Sequence, residues 1–119
     1  MALFCVGRNN ESHRHLAIGT KVGISILSID QTDISARFAA KTDLGGYADI
    51  ATFESVTGAR LVEGAVAGFQ GTVSELIPAG DHTIYLCRLA FGILGPDGSP
   101  LLYFSRDYYS LGAIVRGTR

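Results

Sequence analysis

The feature that most limits the possible folds is a pair of long extended segments in the second half of the chain. Gly64–Ile77 and His82–Leu94 are rich in β-branched, aromatic and other apolar residues, and Pro78–Asp81 between them has the composition of a turn. Alternate residues of His82–Leu94 form two largely apolar faces. One carries Thr83, Tyr85, Cys87, Leu89, Phe91 and Ile93, and the other carries Ile84, Leu86, Arg88 and Ala90. Glycines in the first segment predict bends or bulges at Gly64, Gly68 and Gly71. The sequence therefore predicts a long hairpin in a curved sheet.

Shorter strands and two short helices surround this hairpin. The predicted strands are Ala2–Val6, Val22–Ile29, Ala51–Val56, Arg60–Val62 and Leu101–Phe104. The polar residues after the first strand predict a short helix over Ser12–Ile18, closed by Gly19. Asp30 is a candidate cap for the second helix, and Lys41–Asp49 after it reads as a glycine-containing loop.

Several short strands with glycine-rich turns favour a small barrel over a sandwich or a βαβ fold. The 119 residues contain no repeat or linker, which predicts a single domain over residues 1–119. Hydrophobic residues make up 47% of the chain and charged residues 18%, more apolar surface than one small barrel needs. We expect a subunit interface to cover the excess.

Charge and hydropathy argue against several classes of partner. The net charge is −1 and the basic residues are scattered, so no nucleic-acid partner is expected. The absence of an apolar run of about 18–20 residues argues against a membrane span, and the first residues lack the basic region of a signal peptide. The widely separated Cys5 and Cys87 favour two buried free thiols in a reducing, cytoplasmic environment, with a disulfide as the alternative.

Compact nucleotide and metal motifs are missing from the sequence. There is no Gly-x-Gly-x-x-Gly after a strand, no P-loop and no Cys-x-x-Cys. His13 and His15 would point to different sides of a helix, which is poor geometry for one metal ion, so they are interpreted as solvated helix residues and no metal is expected.

Four segments spread along the chain carry a longer pattern. They are Ile26–Ala39 with its Gln31 and Phe38-Ala39 pair, Ala59–Ala67, Gly80-Asp81-His82 followed by Thr83–Leu86, and Pro100–Phe104 followed by Tyr108. In this order and spacing they resemble the flavin reductase-like family of FMN-binding split β-barrels, over about Leu3 to Leu111. The resemblance implies a mainly β, antiparallel Greek-key split barrel with two short helices.

The resemblance also implies a function. Members transfer hydride from NADH or NADPH to FMN or FAD, as cytoplasmic homodimers with the flavin bound in a groove near the subunit interface. Many supply reduced flavin to the larger oxygenase of a two-component monooxygenase. The flavin carries the redox chemistry, and the protein positions the reacting rings and excludes water.

Candidate cofactor-binding residues come from matching the family's loop after its buried strand. Asn10 and Ser12 correspond to the segment that holds the flavin phosphate, and a helix N-terminus there would offer N–H groups to an anion. Ser12 would add a hydroxyl, and Arg8, His13 or Arg14 a positive charge. The plainer alternative is a capped helix without a ligand.

His82 is the candidate catalytic residue, because the family's histidine at this position lies beside flavin and nicotinamide. The alternative is a surface residue after an ordinary Gly-Asp turn. Arg106 and Tyr108 are assigned by resemblance to the nicotinamide or the subunit seam, and Tyr103 is assigned to the core.

One departure from the family changes the expectation. Full domains carry further strands ahead of the segment at Ala2–Val6, and those strands contact the isoalloxazine ring. We therefore expect a barrel with its front strands missing, an open edge covered by a partner chain, and weakened flavin affinity. The alternative function is a non-catalytic module, left by N-terminal truncation, that binds flavin or associates with itself.

Overall fold

The computed structural model describes residues 1–40, 49–56, 58–96 and 98–115. Predictions for Lys41–Ala48, Thr57 and Asp97 lie outside the described residues. The strands, in chain order, are β1 (Ala2–Gly7), β2 (Lys21–Ile26), β3 (Thr52–Glu54), β4 (Arg60–Val62), β5 (Ala67–Ala79), β6 (His82–Leu94), β7 (Leu102–Phe104) and β8 (Asp107–Tyr109). A 3-10 helix covers Glu11–His15 and the helix α1 covers Thr32–Ala39. The mainly β class is confirmed.

A curled antiparallel sheet organises the molecule. Four strands are hydrogen-bonded in the order β1-β6-β5-β2, so the long hairpin occupies the centre and β1 and β2 flank it. The pairs β3–β4 and β7–β8 form two separate two-stranded sheets. The long hairpin supplies the central pair, and the outer pairs β1–β6 and β2–β5 join strands that are distant in the chain but also antiparallel.

The turn of the long hairpin is tighter than the sequence predicted. Pro78 and Ala79 belong to β5 and pair with β6, so the loop contains only Gly80 and Asp81. Gly80 has φ +61° and Asp81 is not among the positive-φ residues, which matches a type II′ turn. The predicted Pro78–Asp81 turn was therefore two residues too long.

Two one-residue irregularities shape the long hairpin. The register shifts between Gln70 and Gly71, where β6 carries the extra residue Ala90, and again at Ser74 in β5. Gly71 lies at the first irregularity as predicted, and a Cβ there would lie 2.7 Å from the Arg88 carbonyl oxygen. The second irregularity, at Ser74, is not marked by a glycine in the sequence.

The main core lies against the part of the hairpin nearest its turn. Val73, Tyr85 and Cys87 are buried there, and Phe4 stacks on Tyr85 with ring centroids 5.1 Å apart. We call the side of the sheet that carries Thr83, Tyr85 and Cys87 the inner face. The opposite, outer face carries the alternating residues His82, Ile84 and Leu86.

A second cluster packs below α1. Ile50, Val62 and Ala65 are buried together, and Leu27 and Ile34 pack against them. Through this contact β4 and α1 cover the β2 side of the sheet.

Both helices differ from their predicted bounds. The first is a 3-10 turn that ends at His15, because the chain turns again through Ala17–Thr20 to enter β2, where the Ala17 N–H donates to the Thr20 hydroxyl. Asp30 does not cap the second helix, since Gln31 occupies the cap position. The Gln31 amide accepts a hydrogen bond from the Ser28 N–H and donates one to the Glu63 carbonyl, both within 2.9 Å.

Strand ends and one extra strand also differ. β2 ends at Ile26 rather than Ile29, β3 covers only Thr52–Glu54, and β8 was not predicted. The β4 and β6 bounds match the prediction.

Two burial predictions were wrong. Tyr103 is 66% exposed rather than in the core, because the hairpin β7–β8 lies outside the main sheet. Cys87 is buried but Cys5 is exposed, and both thiols are free. The two cysteines lie on opposite faces of the β1–β6 pair, which also separates their sulfur atoms.

Candidate functional site

The turn of the long hairpin and the loop after β1 meet at one end of the sheet. Gly7 pairs with His82 in the β1–β6 ladder, and the Arg8 N–H donates to the Asp81 carbonyl oxygen at 2.9 Å. We call Arg8–His15 the site loop. The fold thus brings together two predicted site segments, the site loop and Asp81–His82.

Asp81 and His82 form a hydrogen-bonded pair on the outer face. The distance between His82 Nδ1 and Asp81 Oδ1 is 2.8 Å. This hydrogen bond and the charge of the imidazolium form lower the pKa of the Asp81 carboxyl. The carboxylate consequently remains ionised near neutral pH and orients the ring.

The His82 ring lies over Gly7. A Cβ built on Gly7 would be 3.6 Å from His82 Nε2, so the ring contacts bare backbone at this point. The His82 side chain is 52% exposed, which leaves it accessible to a ligand from solvent. The side chain is therefore oriented on one side and open on the other.

The site loop is organised mostly by its own hydrogen bonds. Asn10 Oδ1 accepts from the Ser12 N–H at 2.9 Å, and the Asn10 carbonyl accepts from the His13 N–H. These two N–H groups therefore already have acceptors within the chain, and the short 3-10 turn lacks the dipole of a full helix. The predicted helix is thus a short 3-10 turn, and the groups that it presents to solvent are mainly side chains.

The exposed donors in the loop include the Arg8 and Arg14 guanidinium groups and the Ser12 hydroxyl. Arg14 contacts Glu11 at 3.5 Å, but both side chains are more than 70% exposed and such a pair is weak. Arg14 therefore remains able to contact an anion.

His13 faces away from His82. Its Nε2 lies 2.9 Å from the Thr83 hydroxyl oxygen, and its ring meets Tyr85 edge-on with centroids 6.3 Å apart. Both contacts are on the inner face of β6. The predicted solvated position is wrong for His13, which is partly buried, whereas His15 is exposed beside Glu11.

Arg106 and Tyr108 occupy a different part of the molecule. Ser105 and Arg106 both have positive φ and form the two-residue loop between β7 and β8, as in a type I′ turn. The Tyr108 hydroxyl donates to the Ser35 hydroxyl at 3.1 Å, which ties the hairpin to α1. Within the part of the chain that the structure describes, no contact joins these residues to the Asp81–His82 pair.

A half-open cavity of about 500 Å³ lies beside α1. It is lined by Gly23, Ser25, Leu27, Ser35, Phe38, Thr52, Arg60 and Val62. None of the predicted site residues is among these described lining residues. Ser35 in the cavity wall accepts the hydrogen bond from the Tyr108 hydroxyl, so the β7–β8 hairpin contacts this side of the cavity.

Thr83 is a residue that sequence reasoning missed. It is 6% exposed and directly follows the predicted catalytic histidine. The available signal was its aliphatic hydroxyl, placed next to Tyr85 and Cys87 on a largely apolar face of β6.

The chain matches the family described as flavin reductase like domain over residues 1–112. It belongs to that family. The actinorhodin polyketide dimerase of Streptomyces coelicolor is 32% identical over 111 residues, covering 93% of this chain and 62% of that protein. The 4-hydroxyphenylacetate 3-monooxygenase reductase component of Pseudomonas aeruginosa is 26% identical over 112 residues, 92% of this chain and 66% of that protein.

A solved structure shares the fold. The NADH:FAD oxidoreductase SgcE6 of Streptomyces globisporus, in complex with NAD and FAD fragments, has a TM-score of 0.84 at 25% identity. The match covers 92% of this chain and 67% of that chain. The split-barrel fold is thereby confirmed, and the chain spans about two thirds of the length of these relatives. No helix among the described residues is long and apolar enough to cross a membrane.

Proposed function

We propose that this chain is an NAD(P)H:flavin oxidoreductase that uses FMN or FAD. The observation that carries the proposal is the Asp81–His82 pair, held on the outer face beside the site loop in a member of this family. A flavin accepts a hydride from the reduced nicotinamide and a proton from solvent, and leaves in its reduced form. The names of SgcE6 and of its NAD and FAD complex support both substrates.

The donors of the site loop fit an anionic flavin. Arg8, Arg14 and Ser12 are exposed at the end of the sheet where Asp81 holds the His82 ring. Guanidinium and hydroxyl groups are strong partners for phosphate oxygens. We therefore assign the phosphate to this loop, with Asn10 shaping its turn.

The Asp81–His82 pair orients the reacting rings. The carboxylate accepts from Nδ1 and leaves Nε2 as the ring nitrogen that can bond to a ligand. Because the ring is fixed against Gly7, it can hold a flat ligand in one orientation above the outer face. His82 is thus the catalytic residue of the proposal.

A second copy of the chain is the partner that we propose for the β7–β8 end. Exposed apolar side chains cluster in this region: Tyr103, Phe104, Ile114 and Val115 are between 66% and 94% exposed. Patches of this kind mark interaction sites, and a two-fold contact would bring Arg106 and Tyr108 to a subunit seam. Light scattering should report a dimer at low micromolar concentration, and a stable monomer would contradict this.

The natural consumer of reduced flavin is an oxygenase component. The 4-hydroxyphenylacetate 3-monooxygenase reductase component among the relatives supports this assignment. Two free cysteines fit a cytoplasmic location, where thiols stay reduced. Hydroxylation by a purified oxygenase component should depend on this chain, flavin and reduced nicotinamide together.

A direct assay tests the central proposal. The chain is mixed in turn with FMN or FAD and with NADH or NADPH, and the loss of reduced-nicotinamide absorbance is followed. Flavin-dependent oxidation above the protein-free rate is the expected result. Flavin binding without turnover with any of the four pairs would favour the non-catalytic module instead.

A further inference from the structure

We infer that Thr83 is a positioning residue that fixes the site loop through His13 and so sets the affinity for the anionic end of the flavin. This inference rests on the proposed function, because it assigns a role within the same site. It moves His13 from the ligand contacts to the support of the loop.

The His13 side chain points to the inner face of β6. Nε2 is 2.9 Å from the Thr83 hydroxyl, and the ring edge meets Tyr85, which is fully buried. A ring held in this way is turned toward the inner face of β6. Its Nε2 is occupied by the Thr83 hydroxyl, so this atom anchors the loop.

The site loop is attached to the rest of the chain at few points. At its start, the Arg8 N–H bonds to the Asp81 carbonyl oxygen. At its end, Leu16 packs against the core. Between these points, the described hydrogen bonds of the loop are local except for the one between His13 and Thr83.

Thr83 is the second residue of β6. It directly follows His82, and neighbouring residues of a strand point to opposite faces. Thr83 therefore couples the loop to the same backbone segment that carries the catalytic histidine. Losing its hydroxyl would leave the loop free to move relative to His82 without touching the reacting groups.

The test compares two flavins that differ in the phosphate. Wild type and Thr83→Val are titrated with FMN and with riboflavin, which has the ring and ribityl chain alone. A lost hydrogen bond of this kind should weaken FMN binding about three- to tenfold and change riboflavin binding less than about twofold. The KM for FMN should rise by the same factor while kcat is kept.

Two matched variants separate positioning from general damage. Thr83→Ser retains the hydroxyl and should restore FMN affinity. Thr72→Val makes the same change on β5, where no described hydrogen bond uses the side chain, and should leave both flavins unaffected. Equal weakening of both flavins by Thr83→Val, or no weakening of either, would overturn the inference.

Amide hydrogen exchange gives a readout that does not depend on flavin. In Thr83→Val, the amides of Asn10–His15 should exchange faster while those at the centre of β6 keep their protection. Unchanged loop exchange would count against the coupling. A wild-type chain that binds neither flavin would instead remove the proposed function, even if the exchange result held.

Discussion

The two faces of β6 near the turn differ in burial. On the inner face, Thr83 is 6% exposed, and Tyr85 and Cys87 have no exposed surface and pack with Phe4 and Val73. On the outer face, His82 is half exposed and is oriented by Asp81. Successive residues of one strand therefore separate into a group that stabilises the fold and a group that is available for ligands.

A short chain combines in this way a rigid strand with a side chain that solvent can reach. The backbone of β6 is fixed from the inner side by a packed core, so a side chain on the outer side needs little further support. Asp81 supplies that support for His82 with one hydrogen bond. Substitutions on the two faces should accordingly change different measurements.

The largest effect is expected for Tyr85→Ala on the inner face. Removing a fully buried aromatic ring should lower the free energy of unfolding by about 3–5 kcal/mol. Tyr85→Phe is the matched control, because the buried hydroxyl has no hydrogen-bond partner among the described residues. Urea unfolding should place Tyr85→Phe within about 1 kcal/mol of wild type, and a loss comparable to that of Tyr85→Ala would point to a water-mediated bond.

Substitutions of the two cysteines should show the same difference between the faces, with smaller effects on stability than Tyr85→Ala. Cys87→Ser buries a hydroxyl in an apolar site and should cost about 1–3 kcal/mol of unfolding free energy, whereas Cys5→Ser on the exposed side should change it by less than about 0.5 kcal/mol. Burial also raises the pKa of the Cys87 thiol. Iodoacetamide should therefore modify Cys5 in the native protein and reach Cys87 only after unfolding, and equal labelling of both would break the assignment of faces.

On the outer face, His82→Ala should change catalysis far more than stability. Loss of the oriented ring should slow hydride transfer at least about tenfold, or roughly 1.4 kcal/mol in the barrier. The melting temperature should fall only slightly, because the substitution removes one half-exposed hydrogen bond to Asp81. Stopped-flow measurement of flavin reduction checks the rate, and an unchanged rate would release His82 from its role.

The smallest effect is expected from the Asp81 carboxylate. Its pKa is lowered in the folded protein, so the stabilisation that it contributes is present above the ordinary carboxyl range and is lost as pH falls through the folded pKa. Asp81→Asn should therefore lower the melting temperature slightly at neutral pH, and the difference from wild type should disappear in acid. A difference that grew on acidification would contradict the assigned sign.

Much of the fold was predictable because hydrophobic alternation and turn residues are local signals. The bounds of β4 and β6 and the inner-face residues Thr83, Tyr85 and Cys87 followed from alternation. The irregularity at Ser74 did not, because it depends on pairing with β6 rather than on a residue with unusual backbone freedom. The exposure of Tyr103 was missed for a similar reason, since an apolar strand does not reveal which sheet it joins.

The candidate site was predictable as a set of segments and less so as a geometry. The structure joins the site loop to Asp81 and His82, two segments that the family resemblance assigned to one flavin site. It separates Arg106 and Tyr108 from them within the described chain, because their hairpin is tied to α1. Which way His13 turns was undecidable from sequence, since a 3-10 turn and an α-helix direct the same residue differently.

The two irregularities of the long hairpin have a consequence for how its length can change. Ala90 adds one residue to β6 and Ser74 adds one to β5, so beyond both of them the pairing returns to its original alignment. Deleting either residue alone would remove one irregularity and keep every pair, because the residues on each side of it already lie opposite consecutive partners. A bulge increases the local twist of the two strands, so each deletion should flatten the hairpin at that point. His82 and Thr83 should stay on their present faces in both deletions, because their pairs with Ala79 and Pro78 lie next to the turn.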